Sequence, residues 1–387
     1  MAEDNDTGTY RRTYIKGAGA ASFVAMTGLA GCSGDGGDGG SDGGDGGDGD
    51  GGDGDGGDGD GGSSGNANQN TMTLQANSPA ATDSVHGDVA AWIGDIVSER
   101  TDGAVDVEAF RNSELGGQAQ SVQDVSSGAL DIYVIPYALT AIVDMQEAQV
   151  FDTPYMYDPD NPYEDIYEKT DPQDSEPARE VIENLAEQAD IRSLGAVAQG
   201  TRRVSLKIDE GTEPPRNPEM LSNYTMRAVP IGMYAEALNG LGAETTNIDF
   251  SEVPQALATG SVDGQENPYN IIRSSQIYEE QTHIIETNHM HVPLAILMHE
   301  GVYQDLSDSQ QQAFFDAVRE VQPRATELLR SNLEDTKQLF RDEGLTIVGP
   351  DDIEYDAYRS ATRSRIRDQF PDLTDTIESL AHDDYQP

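Results

Sequence analysis

The chain lacks most of the features on which catalysis or nucleic-acid binding depends. It has a single cysteine, so no internal disulfide can form. Only 23 lysines and arginines stand against 71 acidic residues, and the formal charge of −48 should repel nucleic acids and anionic membranes. Outside a Gly/Asp/Ser-rich stretch, it has no Gly-x-Ser-x-Gly, His-Glu-x-x-His or P-loop motif. The sequence therefore does not support an enzyme and predicts no nucleic-acid partner.

The sequence also has no apolar run long enough to cross a membrane. Its apolar stretch near the N-terminus, residues 18–30, is shorter than the roughly 20 residues that a transmembrane helix needs. Arg11-Arg12 precedes this stretch, as in a twin-arginine export signal. The Leu29-Ala30-Gly31-Cys32 tetrapeptide at its end resembles a lipobox. We therefore expect a signal peptide at residues 1–31 and a lipid on the sulfur of Cys32.

The stretch after Cys32 has the composition of a tether. Residues 33–65 are almost entirely Gly, Asp and Ser, which favours an extended, disordered segment over residues 32–70. A calcium-binding repeat would need interleaved apolar residues, which are absent. The excess of acids indicates a high-salt organism. Together, the twin arginine, the lipobox-like tetrapeptide and the acidic composition resemble a twin-arginine lipoprotein of haloarchaeal type. We expect the mature protein on the outer face of the cytoplasmic membrane, anchored through Cys32.

The remaining chain, about 320 residues, is long enough for two α/β lobes with a cleft between them. A first block alternates strand, helix, strand, helix and strand, with strands at 72–76, 105–109 and 130–134 and helices between them. Asp83 is the expected N-cap of the first helix. A second block has strands at 226–229 and 245–248, with helices at 233–241 and after Asp249. This alternation predicts mostly parallel strands.

The two blocks resemble each other, and a long helix follows them. The run from Ser127 to Asp131 and the run from Thr259 to Asp263 each place a glycine between a helix and a strand. This likeness favours two similar lobes rather than one continuous sheet. A helix that starts at Ser307 and ends at Gly344 is long enough to brace both lobes, with a kink expected at Pro323.

Several segments occur in the order typical of one family of transport proteins. Residues 72–345 resemble the solute-binding proteins of tripartite ATP-independent periplasmic (TRAP) transporters, the dicarboxylate-binding-protein (DctP) family. The run 262–268, Val-Asp-Gly-Gln-Glu-Asn-Pro, is the most specific match. The other matching segments are 115–116, 127–131, 200–202, 226–230, 241–243, 250–253 with 256–257, 278–279 and 287–289.

The resemblance implies a two-lobed α/β fold of the periplasmic-binding-protein type (type II, TRAP variant), with mostly parallel sheets and a long bridging helix. Residues 71–199 and 293–332 would form the first lobe, and residues 200–292 and 333–387 the second. It also implies a non-enzymatic protein without a cofactor, which binds a small organic acid and delivers it to TRAP membrane permease subunits.

Five residues match ligand-binding positions of the family. The resemblance implies that Arg227 forms a bidentate salt bridge with the ligand carboxylate, that Arg202 is a second arginine at the site and that Asn267 lies beside the carboxylate. Phe250 would pack on the ligand, and Asn77 would contact it from the opposite lobe. The alternatives are a salt bridge to an acid for each arginine, a core position for Phe250 and a turn for Asn77.

Some positions depart from the family pattern, so the ligand's identity stays open. Arg111 replaces a proline, Pro136-Tyr137 replaces a polar pair, and the motif after Arg227 has an extra residue. The sequence leaves open a metal bound through Glu266 and the oligomeric state. His289 and His291 have no third ligand nearby, so no zinc site is predicted. A surface sensor with the same cleft is the alternative function, ahead of an extracellular enzyme.

Overall fold

The computed structural model describes residues 71–383 and Tyr385. The predicted signal peptide, Cys32 and the tether lie outside the described residues. Among the helices of the described part of the chain, none combines the length and the apolar character that a membrane span requires.

The first block forms the predicted alternation. Its strands are β1 (Met72–Asn77), β2 (Val105–Phe110) and β3 (Ile132–Pro136), and its helices are α1 (Val85–Arg100) and α2 (Gln118–Ser127). The N-cap of α1 is Ser84, whose side chain accepts a hydrogen bond from the amide of Gly87, so the prediction of Asp83 was wrong by one residue. Asp83 instead has a φ of 63°, in the left-handed region.

The rest of the chain adds ten helices and six strands to these elements within the described residues. The strands are β4 (Ile191–Leu206), β5 (Thr225–Ala228), β6 (Glu244–Asn247), β7 (Gly264–Pro268), β8 (His283–His299) and β9 (Thr346–Val348). The helices are α3 (Pro162–Thr170), α4 (Glu176–Ala189), α5 (Pro218–Leu221), α6 (Gly232–Gly240), α7 (Val253–Thr259), α8 (Tyr269–Ser274), α9 (Glu300–Asp305), α10 (Asp308–Asp342), α11 (Tyr355–Gln369) and α12 (Thr374–Leu380).

Hydrogen bonds join these strands in one nine-stranded sheet. Its order is β2-β1-β3-β8-β4-β7-β5-β6, and β9 pairs with β8. The pairs within each block are parallel, as predicted, whereas the long strands β4 and β8 pair antiparallel with each other. The expectation that the chain forms no continuous sheet was therefore wrong. The long strands β4 and β8 extend through both halves, and their hydrogen bonds join the two parallel blocks.

The hydrophobic residues form one large core and two smaller ones. The large core contains β1, β3 and the first half of β4, and the smaller cores contain residues of β5, α7 and the second half of β4. Helix α10 spans them, since Phe314 and Val318 pack in the large core and Phe340 in a smaller one. The helix is continuous at Pro323 and has the capping box at Ser307. The predicted bridging helix is thus confirmed.

The long strands change direction between the cores. The pairing of β4 with β8 shifts register between Ala198 and Gly200 and again between Arg202 and Val204. Gly200 has a φ of 123°, a conformation that side chains with a Cβ rarely adopt. Gln199 and Arg202, which lie at these irregularities, line the cavity described below.

Candidate functional site

A cavity lies where the parallel strands of both blocks end. Open α/β sheets bind ligands at the carboxyl ends of their strands. Here the ends of β3, β5 and β7 contribute to the wall, together with β4 and the helices that follow the strands. The space between the lining side chains, including its mouth, is about 370 Å³. The lining residues are Pro79, Ala80, His86, Gln118, Pro136, Leu139, Gln199, Arg202, Arg227, Val229, Tyr234, Phe250, Asn267 and Ile271.

Arg202 is held on the cavity wall by an ion pair. Its Nε and Nη2 donate to the two carboxylate oxygens of Glu266, and the Nη2–Oε1 distance is 2.8 Å. Nη1 donates to Oε1 of Gln199 at 3.2 Å, and the guanidinium lies 4.9 Å from the ring centre of Tyr234. Despite burial, Arg202 lowers the pKa of Glu266 to about 2. The alternative of a structural salt bridge is therefore realised for Arg202, which also faces the cavity.

Arg227 is equally buried and has no carboxylate partner. It is 1% exposed, and its Nε donates to the backbone oxygen of Ile248 at 2.8 Å. Its Nη2 has no hydrogen-bond acceptor, and among the described residues no carboxylate lies within ion-pair distance. Burial lowers the pKa of Arg227 to about 10, although the negative charge of Glu266, further away, acts to raise it. A buried charge without a partner is costly, and Nη2 of Arg227 is a donor on the cavity wall that no acceptor of the described residues uses.

Asn267 and Phe250 lie on the same wall as Arg227. Asn267, near the end of β7, is 2% exposed and donates its amide to Oε1 of Gln265. Phe250 opens the turn before α7, where Asp249 caps the turn by accepting from the amide of Ser251. The Phe250 ring centre is 5.9 Å from the guanidinium of Arg227. The structure thus brings together four of the five residues predicted for the site.

The fifth residue, Asn77, does not line the cavity. It ends β1 and is fully buried, and its amide nitrogen donates to the backbone oxygen of Gly116 and to Oγ of Ser121. Its carbonyl oxygen has no partner. These bonds fix the loop that precedes α2. Asn77 therefore positions the first residues of α2, where another lining residue, Gln118, is located.

Four polar residues of the cavity were missed by the sequence analysis, namely His86, Gln118, Gln199 and Tyr234. His86 accepts from Nε2 of Gln199 and donates to the backbone oxygen of Val134, each at 3.0 Å. Burial lowers its pKa to about 4, so it is neutral. Gln118, the first residue of α2, is 7% exposed, and its Oε1 has no partner. Gln118 and Gln199 adjoin two matched segments, Leu115-Gly116 and Gly200-Thr201-Arg202, which is the signal that could have found them.

A second carboxylate lies behind the Arg202 side of the cavity. Asp152 is fully buried and accepts from the hydroxyl of Tyr234 at 2.7 Å and from the amide of Ala138 at 2.8 Å. Burial raises its pKa to about 7. Gln149, on the same turn, accepts from the amide of Met233 at 3.0 Å. The start of α6 is thus fastened to the turn at residues 146–152.

The two histidines of β8 that were considered as zinc ligands, His289 and His291, form hydrogen bonds with other side chains. His289 contacts Glu266 at 3.3 Å and Oγ1 of Thr287 at 2.9 Å, and His291 contacts Oγ1 of Thr201 at 2.9 Å. Burial lowers the pKa of both imidazoles. In the described part of the chain, no group of three or more His, Cys, Asp or Glu side chains is placed to hold a metal ion.

Comparison with known proteins identifies the family to which the chain belongs. The family model described as bacterial extracellular solute-binding protein, family 7 (DctP), matches residues 76–372. The chain belongs to this family. The resemblance to TRAP solute-binding proteins is therefore confirmed at the family level, and the family is one of binding proteins rather than enzymes.

Similar proteins support this membership over most of the chain. A solute-binding protein of Roseobacter denitrificans is 25% identical over 309 residues, which cover 80% of this chain and 90% of the relative. The C4-dicarboxylate-binding periplasmic protein DctP of Rhodobacter capsulatus is 27% identical over 275 residues, or 71% of this chain and 79% of the relative.

Solved structures confirm the predicted fold class. The crystal structure of the Roseobacter denitrificans TRAP periplasmic solute-binding protein, with bound L-galactonate, has a TM-score of 0.70. It is 25% identical in sequence, and the match covers 80% of this chain and 98% of that one. A protein of Polaromonas, bound to D-erythronate, has a TM-score of 0.72 at 19% identity, with 80% and 98% coverage.

Proposed function

We propose that the protein captures a small carboxylate outside the cell and delivers it to the membrane permease of a TRAP-type transporter. The observation that carries the proposal is the buried guanidinium of Arg227, which faces the cavity without an anionic partner. A carboxylate fits this position because its two oxygens can accept parallel hydrogen bonds from one guanidinium. Family members with bound L-galactonate and D-erythronate, both organic acids, agree with this ligand class.

The other lining residues would orient the ligand rather than neutralise it. Arg202 already shares its charge with Glu266, so it would contribute one further N–H group and a positive potential. Asn267 would donate to the carboxylate beside Arg227, and Phe250 would pack on the ligand body. Asn77 would act through the start of α2, whose position it fixes.

We also propose the two lobes expected from the sequence, residues 71–199 with 293–332 and residues 200–292 with 333–387. The cores support most of this division, since the large core contains Leu74 to Ala198 and the smaller cores begin at Val204. The large core also takes in Val229, Ile231 and part of α6, so this portion of the second lobe packs on the first. At the C-terminus, α12 contributes Ile377 and Leu380 to the large core, so the end of the second segment packs on the first lobe. A closed cleft would exclude water and strengthen the bond between carboxylate and guanidinium.

Anchoring to the cell surface is part of the proposal. The twin arginine at Arg11-Arg12 and the tetrapeptide ending at Cys32 support export and lipid attachment, and the Gly/Asp-rich tether would let the binding domain reach the permease. The large negative charge supports a function in high salt, where screening weakens self-repulsion.

The decisive experiment is thermal unfolding of the full chain in molar salt, with a panel of small carboxylates. A ligand that binds only the folded state raises the midpoint as its concentration rises. We expect at least one acid to do so, and Arg227→Met to weaken its binding by one to two orders of magnitude, since a hydrogen bond to a charged group contributes about 1.5–3 kcal/mol.

Arg100→Met is the matched control, because Arg100 is exposed and pairs with Asp316 and Glu320 far from the cavity. It should keep the full response. Circular dichroism would verify that both variants are folded. A parent protein that responds to no carboxylate would refute the proposal, as would an Arg227→Met variant that responds like the parent. Loss of uptake on deletion of the permease would distinguish transport from sensing.

A further inference from the structure

We infer that the cavity selects a monocarboxylate with an apolar body and a hydroxyl group, rather than a dicarboxylate, an amino acid or a polyhydroxylated acid. The inference rests on the proposed function, because it assumes that Arg227 receives a carboxylate. Beyond the proposed function, the inference specifies the charge and the polarity of the rest of the ligand, as indicated by the residues that line the cavity.

The charge of the cavity wall accommodates one anionic group. Two lining residues are cations, Arg202 and Arg227, and none is an acid. Glu266 neutralises Arg202 through both carboxylate oxygens, whereas Arg227 has no ion pair. One positive charge is therefore left uncompensated. A second ligand carboxylate would be buried without a free guanidinium, and buried charges without partners are strongly disfavoured.

The same wall disfavours a positively charged ligand group. An ammonium needs an anion or several acceptors when it leaves water. The cavity offers no carboxylate, and the two guanidiniums would repel it. Amino acids should therefore bind more weakly than uncharged analogues with the same carbon skeleton.

Among the residues that line the cavity, one buried acceptor without a partner indicates where the ligand should carry a hydrogen-bond donor. Gln118 is 7% exposed, and its Oε1 has no hydrogen-bond partner. Leaving a buried acceptor unpaired is unfavourable, so a ligand that donates to it gains affinity over one that does not. A neutral hydroxyl satisfies this acceptor without adding charge.

The remaining polar side chains are largely committed to one another. His86 is bonded to Gln199 and to Val134, and Gln199 also accepts from Arg202. Tyr234 donates its hydroxyl to Asp152. Half of the lining residues are apolar, namely Pro79, Ala80, Pro136, Leu139, Val229, Phe250 and Ile271. A ligand with many hydroxyls would bury several of them against these side chains without partners.

A panel of acids with one carbon skeleton tests this inference. Binding of the full chain in molar salt would be measured by calorimetry with isovalerate, 2-hydroxyisovalerate, 3-hydroxyisovalerate, 2-oxoisovalerate and valine. Succinate and galactonate would represent dicarboxylates and polyhydroxylated acids. We expect one of the two hydroxy acids to bind most tightly, about tenfold more tightly than isovalerate.

Variants of α2 separate recognition of the hydroxyl from recognition of the carboxylate. Gln118→Leu removes the acceptor and should reduce the preference for the hydroxy acid over isovalerate to less than about twofold. Gln120→Leu is the matched control, because Gln120 is exposed on the same helix and bonds only to Asp124. It should keep the preference of the parent.

Other outcomes overturn the inference and leave the proposed function intact. Tightest binding of succinate would contradict the single uncompensated charge of the cavity wall. Tightest binding of valine would contradict the argument that the wall repels an ammonium group. Tightest binding of 2-oxoisovalerate would contradict the role of Gln118 as an acceptor, and that of galactonate the argument from the apolar lining residues. An unchanged preference in Gln118→Leu would also refute the role of Gln118. Absence of binding by every acid would refute the proposed function as well.

Discussion

The two arginines of the cavity occupy regions with opposite electrostatic surroundings. Around Arg202, Glu266 accepts two hydrogen bonds from the guanidinium, and Asp152 lies behind Tyr234, on which Arg202 stacks. Around Arg227, the Nε donor is bonded to a backbone oxygen and no carboxylate is within ion-pair distance among the described residues. Both side chains are buried, at 3% and 1% exposure, so burial does not explain the difference.

Under the proposed function, this contrast separates an arginine that stabilises the fold from one that binds the ligand. The chain has 71 acidic residues, so a partner for any arginine is readily available on its surface. Of the two buried arginines on the cavity wall, Arg227, which faces the cavity from β5, has no such partner among the described residues. An unpaired cation in an acid-rich protein is therefore more informative about function than the same residue in a protein of average composition.

The largest expected effect comes from removing the paired arginine. Arg202→Met leaves Glu266 buried with only His289 beside it, and breaking a buried ion pair typically costs about 3–5 kcal/mol of unfolding free energy. Urea unfolding in molar salt measures the change. The double variant Arg202→Met/Glu266→Met should recover most of the loss. A loss below about 1 kcal/mol, the usual value for an exposed pair, would show that the ion pair of Arg202 stabilises the fold little. The two arginines would then not differ in their structural role.

The carboxylates of the Arg202 region should also make folding depend on pH. Burial raises the pKa of Asp152 from 3.8 to about 7, so its contribution to stability is complete below pH 3.8 and is lost as the pH rises through 7. Glu266 acts in the opposite direction, because its pKa falls from 4.5 to about 2 and its contribution is lost as the pH falls through that range.

The difference between the parent and Asp152→Asn isolates the first of these contributions. From pH 4 to pH 8 the parent should lose on the order of 3 kcal/mol relative to the variant. Urea unfolding at several pH values gives this difference, with Asp316→Asn as an exposed control. A constant difference across the range would show that Asp152 is ionised in the folded protein.

The smallest expected effect concerns the unpaired arginine without ligand. Arg227→Met removes a buried charge that has no ion pair, so the unfolding free energy should be unchanged or higher by up to about 2 kcal/mol. Together with lost ligand binding, this would show a residue that favours function at the expense of stability. A clear loss of stability would instead place Arg227 in the same structural class as Arg202.

Local patterns in the sequence predicted much of the fold. The alternation of strands and helices, the start of α10 at Ser307 and the helix ends at Gly128 and Gly260 all depend on neighbours within a few residues. Strands β4 and β8 were not predicted. Nearly every residue in them is buried, so they lack the alternation of polar and apolar positions that reveals a strand.

The site could be predicted only where a motif marked it. Arg227, Arg202, Asn267 and Phe250 occur in segments that match the family, and the structure places all four on the cavity wall. Whether each arginine is paired depends on contacts across 64 residues, between Arg202 and Glu266, which no local pattern reveals. The position of Asn77 behind α2, and the free acceptor of Gln118, likewise depend on tertiary packing.

The order of the strands has a consequence for how the protein folds. The large core contains the second half of β8, where the residues paired with β3 come more than 150 positions after their partners. None of the three cores can be completed until the chain has been synthesised past Met298 and into α10 or beyond it. We therefore expect late, cooperative folding with a high contact order, in which an N-terminal fragment ending before β8 exposes apolar strand edges and aggregates.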